Sequence, residues 1–531
     1  MGTYLNPGNS GFKGIRNDIY VDKSGLIGLI NQTIDTPRRL TCISRPRRFG
    51  KSFAAKMLCA YYDRTCDSAR LFEDLAISGD ERYSDYLNRY DVIYLDMTGV
   101  IGEASSIAEL VAYVKRNVSR ELTESYPNLK AAEGFMSTLA NAVELTGNKF
   151  IMIIDEWDAP LREAIGHPNL QREYLEFLRS LFKNSGMTDK VFAAAYMTGI
   201  LPVKKDGSQS AISDFQEYSM LKPRQFGSYV GFTEEEVKRL CDDNHRDFHM
   251  MKQWYDGYEL RGMDSIYNPN SVMKAIYNDD FDSYWTETSA AESLMGYISL
   301  DFDGLGRTVT ELIGGMEVNV NPKGFANDLA TFRDRDDVLT LLIHLGYLTY
   351  NEITGKARIP NEEIRREFAR SIRQVKRDDT LRRVRESDLL IENTIRGDEE
   401  AVARQIEKIH EEESPLYYNN EQALRSVIKR AYFSYGDEYI LFEELPSGSG
   451  YADIVYLPKK DSILPALVVE LKWNRSAEGA IAQIRDKRYP EAIKGYGGEI
   501  LLVGISYAKD APAGKKGHQC RIERFSSEKS S

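Results

Sequence analysis

The chain has 531 residues, 42% apolar and 28% charged, with a net charge of -12. That length asks for roughly three or four domain-sized units, because single cores rarely grow past about 250–300 residues. The acidic balance argues against a surface uniformly coated for nucleic acid. Five scattered cysteines imply no disulfide framework, and no apolar run approaches the ~20 residues of a membrane helix. Met1-Gly-Thr-Tyr-Leu-Asn has neither the basic flank nor the apolar core of a secretion signal, so a cytoplasmic protein with no membrane partner is expected.

The first 220 or so residues alternate strands with amphipathic helices. Strands are expected at 40–44, 91–97, 149–155, 191–198 and 215–221, several of them nearly unbroken apolar runs, as in parallel strands covered on both faces. Helices fall between them at 51–63, 105–122, 130–145 and 170–184. The alternation predicts an α/β fold with an open, mostly parallel sheet. Ser44-Arg-Pro-Arg-Arg-Phe-Gly-Lys-Ser52 follows the first strand and enters a helix. Such a loop turns backbone N–H groups toward phosphate oxygens, while Lys51 adds a point charge and the Ser52 hydroxyl can hold Mg²⁺. Arg45 stands where the usual pattern opens with Gly.

A nucleotide hydrolase also needs an acid at the tip of a buried strand. Ile151-Met-Ile-Ile-Asp155-Glu156 has that form, with Asp155 as metal holder and Glu156 polarising the attacking water. Thr198, at the tip of the next strand, is a candidate γ-phosphate sensor. Arg162 competes with the loop arginines for the role of charge-stabilising finger.

From about 222 the texture becomes helical. Thr233 and Glu236 form a capping box, Gly346 stops a helix ending at 338–345, and 347–350 reads as a short strand. A lid or winged-helix domain is expected. Residues 361–386 are dense in charge, a pattern better suited to a solvated helix with i,i+4 pairs than to a nucleic-acid contact. Cys241, His245 and His249 have ligand spacing if one helix carries all three, but their polar neighbours and the lack of a fourth ligand favour an exposed helix. After a polar helical stretch at 391–413 comes a compact α/β unit: helix 421–432, strand 438–444, a turn at 447–450, strands 451–457 and 465–471, helix 477–493 and strand 499–505.

Tyr20-Val-Asp-Lys23, Ser44–Ser52, Ile154-Asp-Glu-Trp-Asp-Ala-Pro160, Gly231-Phe-Thr233, Trp254-Tyr-Asp-Gly-Tyr258, Tyr267-Asn-Pro-Asn-Ser271 and Ile359-Pro-Asn-Glu-Glu363 together resemble the bacterial AAA-ATPase-like family. Members of that family end in a PD-(D/E)XK nuclease-like domain. The resemblance covers nearly the whole chain. It makes Arg45 look like a family trait, and Trp157 stands where relatives often have Tyr.

Nuclease chemistry of that type needs two carboxylates sharing a metal and a lysine beside the attacked phosphate. Asp453 heads one strand, and Glu470-Leu471-Lys472 lies near the end of the next, with Glu470 and Lys472 on one face by period-two alternation. The resemblance extends to Gln483 and Tyr489 on the following helix, read as nucleic-acid contacts, and offers Glu421 as a weaker further acid.

The expected organisation is a P-loop AAA-type ATPase domain over 1–221, a helical lid or winged-helix domain over 222–390, a helical linker over 391–414 and a restriction-endonuclease-like α/β domain over 415–525. ATP and Mg²⁺ are the expected cofactors. Arg47, Arg48, Phe49, Gly50, Lys51, Ser52, Asp155 and Thr198 are the nucleotide-site candidates, with Ser52 and Asp155 also metal ligands. Glu156, Asp453, Glu470 and Lys472 are the catalytic candidates, and Asp453 and Glu470 hold the second metal. The expected partners are a nucleotide and a nucleic acid, DNA ahead of RNA, with homo-oligomerisation open. The alternative is a nucleotide-controlled switch whose C-terminal domain binds without cleaving.

Overall fold

The computed structural model describes residues 2–104, 106–164, 167–183, 185–203, 212, 214–285, 302–325, 332–374, 378–411, 421–432, 439–447, 450–458, 464–493, 498–509 and 517–525. They group into two compact units, one of 1–284 with 319–360, the other of 285–318 with 361–531.

The first unit is built on β1 (Leu40–Ser44), α1 (Lys51–Tyr62), β2 (Asp91–Asp96), α2 (Leu110–Ser125), α3 (Phe135–Thr146), β3 (Phe150–Asp155), α4 (Pro168–Phe182), β4 (Phe192–Gly199) and β5 (Gln216–Tyr218). All five strands run parallel in the order β2-β3-β4-β1-β5. β1, β3 and β4 are buried along their whole length, as their apolar runs require. The order sets β4 between the phosphate-loop strand and the acid-bearing strand, so Ser44, Asp155 and Gly199 end on the same edge of the sheet. One helix differs from expectation. Asp96 caps Thr98 N and Gly99 N and starts a separate helix, Met97–Glu103, so the long helix begins only at Leu110.

β6 (Phe232–Thr233), α5 (Glu234–Asn244), α6 (Phe248–Tyr255), β7 (Tyr258–Leu260), β8 (Met263–Tyr267) and α7 (Pro269–Asn278) follow. The Thr233–Glu236 capping box is present, and Glu236 also receives Lys23 Nζ at 2.7 Å. α5 ends at Asn244 and His245 turns left-handed at φ +54, so Cys241, His245 and His249 do not share a helix face. Helix α8 (Arg335–Leu345) stops at Gly346 with φ +88, and the hairpin β9 (Thr349–Asn351) with β10 (Lys356–Arg358) follows it.

The second unit contains α9 (Glu362–Gln374), α10 (Asp378–Arg396), α11 (Glu399–Glu411), α12 (Glu421–Ala431), β11 (Tyr439–Ser447), β12 (Gly450–Pro458), β13 (Ala466–Trp473), α13 (Ala477–Asp486), β14 (Ile500–Tyr507) and β15 (His518–Phe525). The five strands form a mixed sheet in chain order, antiparallel except for the parallel β13–β14 pair. The expected helix over 477–493 breaks at Arg488 (φ +55), before Tyr489-Pro490, and continues as one 3₁₀ segment. At the start of the charged 361–386 stretch, Arg365 and Arg366 pair with Glu362 and are buried, so this end is packed rather than solvated. Residues 375–377 of that stretch, 412–413 of the polar helix and 448–449 of the turn lie outside the described residues.

One close approach holds the site edge of the first sheet. A Cβ at Gly199 would lie 2.6 Å from the Trp157 ring and 2.7 Å from Asp158 Oδ1, both in the turn after β3. Gly199→Ala is therefore expected to destabilise the protein by about 1–3 kcal/mol through overpacking, seen as a lowered denaturant midpoint in circular dichroism.

Candidate functional site

Gly50 sits left-handed (φ +90) at the N-cap of α1, and Arg48 is also left-handed (φ +68). Arg45 has no positive φ, so the backbone needs no glycine there. Its guanidinium turns inward, donating from Nη1 to Ser44 O (2.9 Å) and Tyr218 O (3.2 Å), and burial lowers it to about 10. Arg47 is half-buried. Arg48 is exposed and donates to Tyr284 O at 2.8 Å. Phe49 is buried edge-on against Tyr258, with ring centroids 5.2 Å apart, so it anchors the loop by packing.

Lys51 folds back into its own loop, Nζ donating to Arg45 O (3.1 Å) and Pro46 O (2.9 Å), and lies 3.2 Å from Glu156 Oε1. Glu156 is left-handed (φ +53), a sharp turn at the tip of β3. Its other oxygen receives Arg162 Nη2 at 2.8 Å. Burial alone would raise its pKa, but Lys51, Arg162 and Arg47 together hold it below the ordinary carboxylate range. Asp155 is buried at the same tip. The Thr198 hydroxyl, from β4, donates to its carboxylate, and the Ser52 side chain, from α1, stands close enough to lower its pKa. Burial nonetheless raises it. Thr198 Oγ1 also accepts Glu156 N at 3.3 Å, tying the two acids to the neighbouring strand.

A cavity of about 810 Å³ opens over this loop, with Lys51, Ser52 and Glu156 on its floor and Ile19, Phe53 and Tyr277 among its walls. Three oxygen donors beside a lysine and helix N-terminal N–H groups fit a hard divalent ion with phosphate oxygens. Sequence reasoning missed Asp158. Its buried carboxylate accepts Ile200 N and Leu201 N (3.0 Å) and lies 3.3 Å from Arg162 Nε, so it positions the arginine that contacts Glu156. Its place before Ala159-Pro160, at a helix start, was the available sign.

In the second unit the β12–β13 ladder is paired at Ile454↔Val469, so Asp453 and Glu470 stand opposite each other at the next position, on one face. Asp453 accepts Leu471 N at 2.8 Å and Arg425 Nη2 at 2.5 Å. Lys472 Nζ reaches Glu470 Oε1 at 2.8 Å, as the alternation predicted. Gln483 from α13 donates to the same oxygen and to Tyr489 OH at 3.2 Å. All five expected residues thus converge. Glu421 is exposed one helical turn before Arg425. Arg425 was not anticipated, because a single arginine in a charged helix carries no sequence sign of a partner 28 residues on.

Glu470 is 2% exposed, and among the described residues its Oε2 has no hydrogen-bond partner. A buried carboxylate oxygen left unpaired beside a second acid is the donor set a divalent ion would satisfy. Burial, then the charge of Asp453, pushes Glu470 up to about 7 despite Lys472. In the folded state Glu470 thus keeps its proton until pH nears 7, whereas unfolded it loses it near 4.5. Its contribution to stability is full below that lower value and fades as pH rises through about 7. Without metal, Glu470→Gln should leave the melting midpoint nearly unchanged at pH 4.5 and raise it by on the order of 5 °C at pH 8, read by calorimetry.

Comparison with known proteins finds a family match toward each end of the chain. Residues 8–208 match the AAA-ATPase-like family, described as predicted AAA-ATPase, and residues 419–513 match the PD-(D/E)XK nuclease superfamily. An uncharacterised protein in the vnfD 5′ region of Azotobacter chroococcum mcd 1 is 23% identical over 517 residues, 93% of each chain. The solved ORC2 protein of Aeropyrum pernix (ADPNP-ADP complexes) aligns over 67% of this chain and 96% of its own at 12% identity, with a TM-score of 0.28. Among the described residues no helix is long and apolar enough to cross a membrane. The chain therefore joins an N-terminal domain of the AAA-ATPase-like family to a C-terminal domain of the PD-(D/E)XK nuclease superfamily.

Proposed function

We propose that this protein binds and hydrolyses ATP with Mg²⁺ at the Gly50-Lys51-Ser52 loop, and that its nucleotide state controls a Mg²⁺-dependent nuclease-like domain acting on nucleic acid, DNA ahead of RNA. The observation that carries the reading is the meeting of Ser52, Asp155 and Thr198 beside the Lys51–Glu156 pair. Residues 1–221 are assigned to nucleotide turnover, 222–390 to relay, 391–414 to linkage and 415–525 to the nucleic acid.

Ser52 and Asp155 would hold the ion, which neutralises charge on the phosphates when bound. Lys51 exchanges its carbonyl partners and Glu156 for phosphate oxygens. Freed from Lys51, Glu156 remains ionised next to Arg162 and takes the proton of the attacking water. Thr198 keeps Asp155 oriented. In the second unit Asp453 and Glu470 would hold a second ion, and Lys472 steadies charge developing on the attacked phosphate. Gln483 orients Glu470 and lines the approach for the nucleic acid, while the buried Tyr489 steadies Gln483 from behind.

One observation favours a second reading. Arg425 pairs with Asp453 and Lys472 lies against Glu470, so side-chain cations already stand where a metal would sit. A domain in that state is suited to binding without cleavage, making the protein a nucleotide-controlled switch.

Lys51→Ala should lower ATP turnover by roughly 100-fold or more. Glu156→Gln should keep nucleotide binding while lowering kcat by roughly 100- to 10,000-fold. Phosphate release and nucleotide titration check both, and unchanged turnover in Lys51→Ala would refute the ATPase reading. Purified protein with ATP and Mg²⁺ or Mn²⁺ is expected to cut linear, circular or single-stranded DNA or RNA. Glu470→Ala or Lys472→Ala should abolish cutting while ATP turnover persists. Substrates left intact would rule out cleavage and leave the switch.

A further inference from the structure

A second group of metal-ligating side chains lies in the C-terminal unit, apart from the Asp453–Glu470 acids. Glu407 and His410 are three residues apart on α11, so they project from one face of it. His518 opens β15, and its imidazole is fully buried. Its backbone N and its Nδ1 lie 2.8 Å and 2.7 Å from Glu407 Oε2. The His410 and His518 rings meet edge-on with centroids 5.1 Å apart, and the Tyr507 ring packs on both, 4.9 Å from His410 and 4.7 Å from His518. One ligand atom from each of Glu407, His410 and His518 lies within 4.8 Å of the others.

A purely structural clip would need less. Two helical turns earlier on α11, Glu399 accepts Ile522 N at 2.9 Å and pairs with Arg521 at 3.1 Å, with no histidine among these contacts. Eight residues of helix and four of strand both span about 12–13 Å, so Glu399 and Glu407 grip the same strand in register. At the Glu407 end, two of the six histidines of the chain are added to that grip.

We propose that Glu407, His410 and His518 form a binding site for one borderline divalent transition-metal ion, Zn²⁺ by preference, that fastens the last strand to α11. Two imidazole nitrogens and a carboxylate oxygen suit Zn²⁺ over Mg²⁺, and three protein ligands leave a fourth tetrahedral position for water. Tetrahedral donors sit about 3.3 Å apart. The trio must therefore close in, through rotation of the half-buried Glu407 and His410 side chains. The site is independent of the acids proposed for cleavage.

The test uses tag-free full-length protein, stripped with a chelator and titrated with Zn²⁺ against a chromophoric competitor. The expected result is one site of micromolar affinity or tighter that raises the melting midpoint and persists in Glu470→Gln. His410→Ala should weaken it at least about tenfold with an unchanged far-ultraviolet spectrum. Glu407→Gln, which keeps an acceptor for His518 N, should weaken it similarly. Absence of such a site, less than tenfold weakening in both variants, or loss of uptake in Glu470→Gln would overturn the proposal.

Discussion

The buried Asp155 carboxylate is the interaction on which the first unit turns. Leaving such a charge in the interior is costly unless hydrogen bonds satisfy it. Here Thr198, from the strand between loop and acid, does so, with Ser52 of the phosphate-loop helix close beside it. Three elements distant in sequence are thereby drawn to one point, and Glu156 and Lys51 are set beside it. The parallel strand order brings the tips together, the Gly199–Trp157 approach leaves no slack there, and Phe49 on Tyr258 holds the loop's far end.

The two acid sites are balanced in opposite ways. Around Glu156 the cations of Lys51, Arg162 and Arg47 outweigh burial, and the carboxyl stays ionised. At Glu470, burial and the facing Asp453 outweigh Lys472, and the carboxyl holds its proton toward neutrality. The first arrangement presents a ready base. The second presents an acid whose ionisation depends on a cation arriving, so occupancy and protonation are linked at that site.

The edge of the C-terminal sheet shows a different constraint. β15 is an edge strand, and α11 covers it with two carboxylates that accept its backbone N–H groups. That cover protects an edge that would otherwise offer unpaired donors to another chain. The same cover places Glu407 and His410 over His518.

Much of this was legible in the residues. The apolar runs announced β1, β3 and β4, the Thr233–Glu236 box announced α5, and Gly-Lys-Ser with Asp155-Glu156 announced the first acid site, because each depends on near neighbours in sequence. Period-two alternation likewise put Glu470 and Lys472 on one face. β15 was not seen, because His518-Gln-Cys-Arg-Ile-Glu-Arg-Phe525 is an edge strand with a charged, half-exposed face and no apolar run. The Arg45 side chain, Asp158, Arg425 and the Glu407–His410–His518 trio also depend on contacts across long loops. Sequence by itself determined the elements and the chemical types at their tips, through local periodicity and capping. Which tips meet, which cation neutralises which acid and how far each pKa moves were decided only by tertiary packing, because burial and Coulomb fields act through space rather than along the chain.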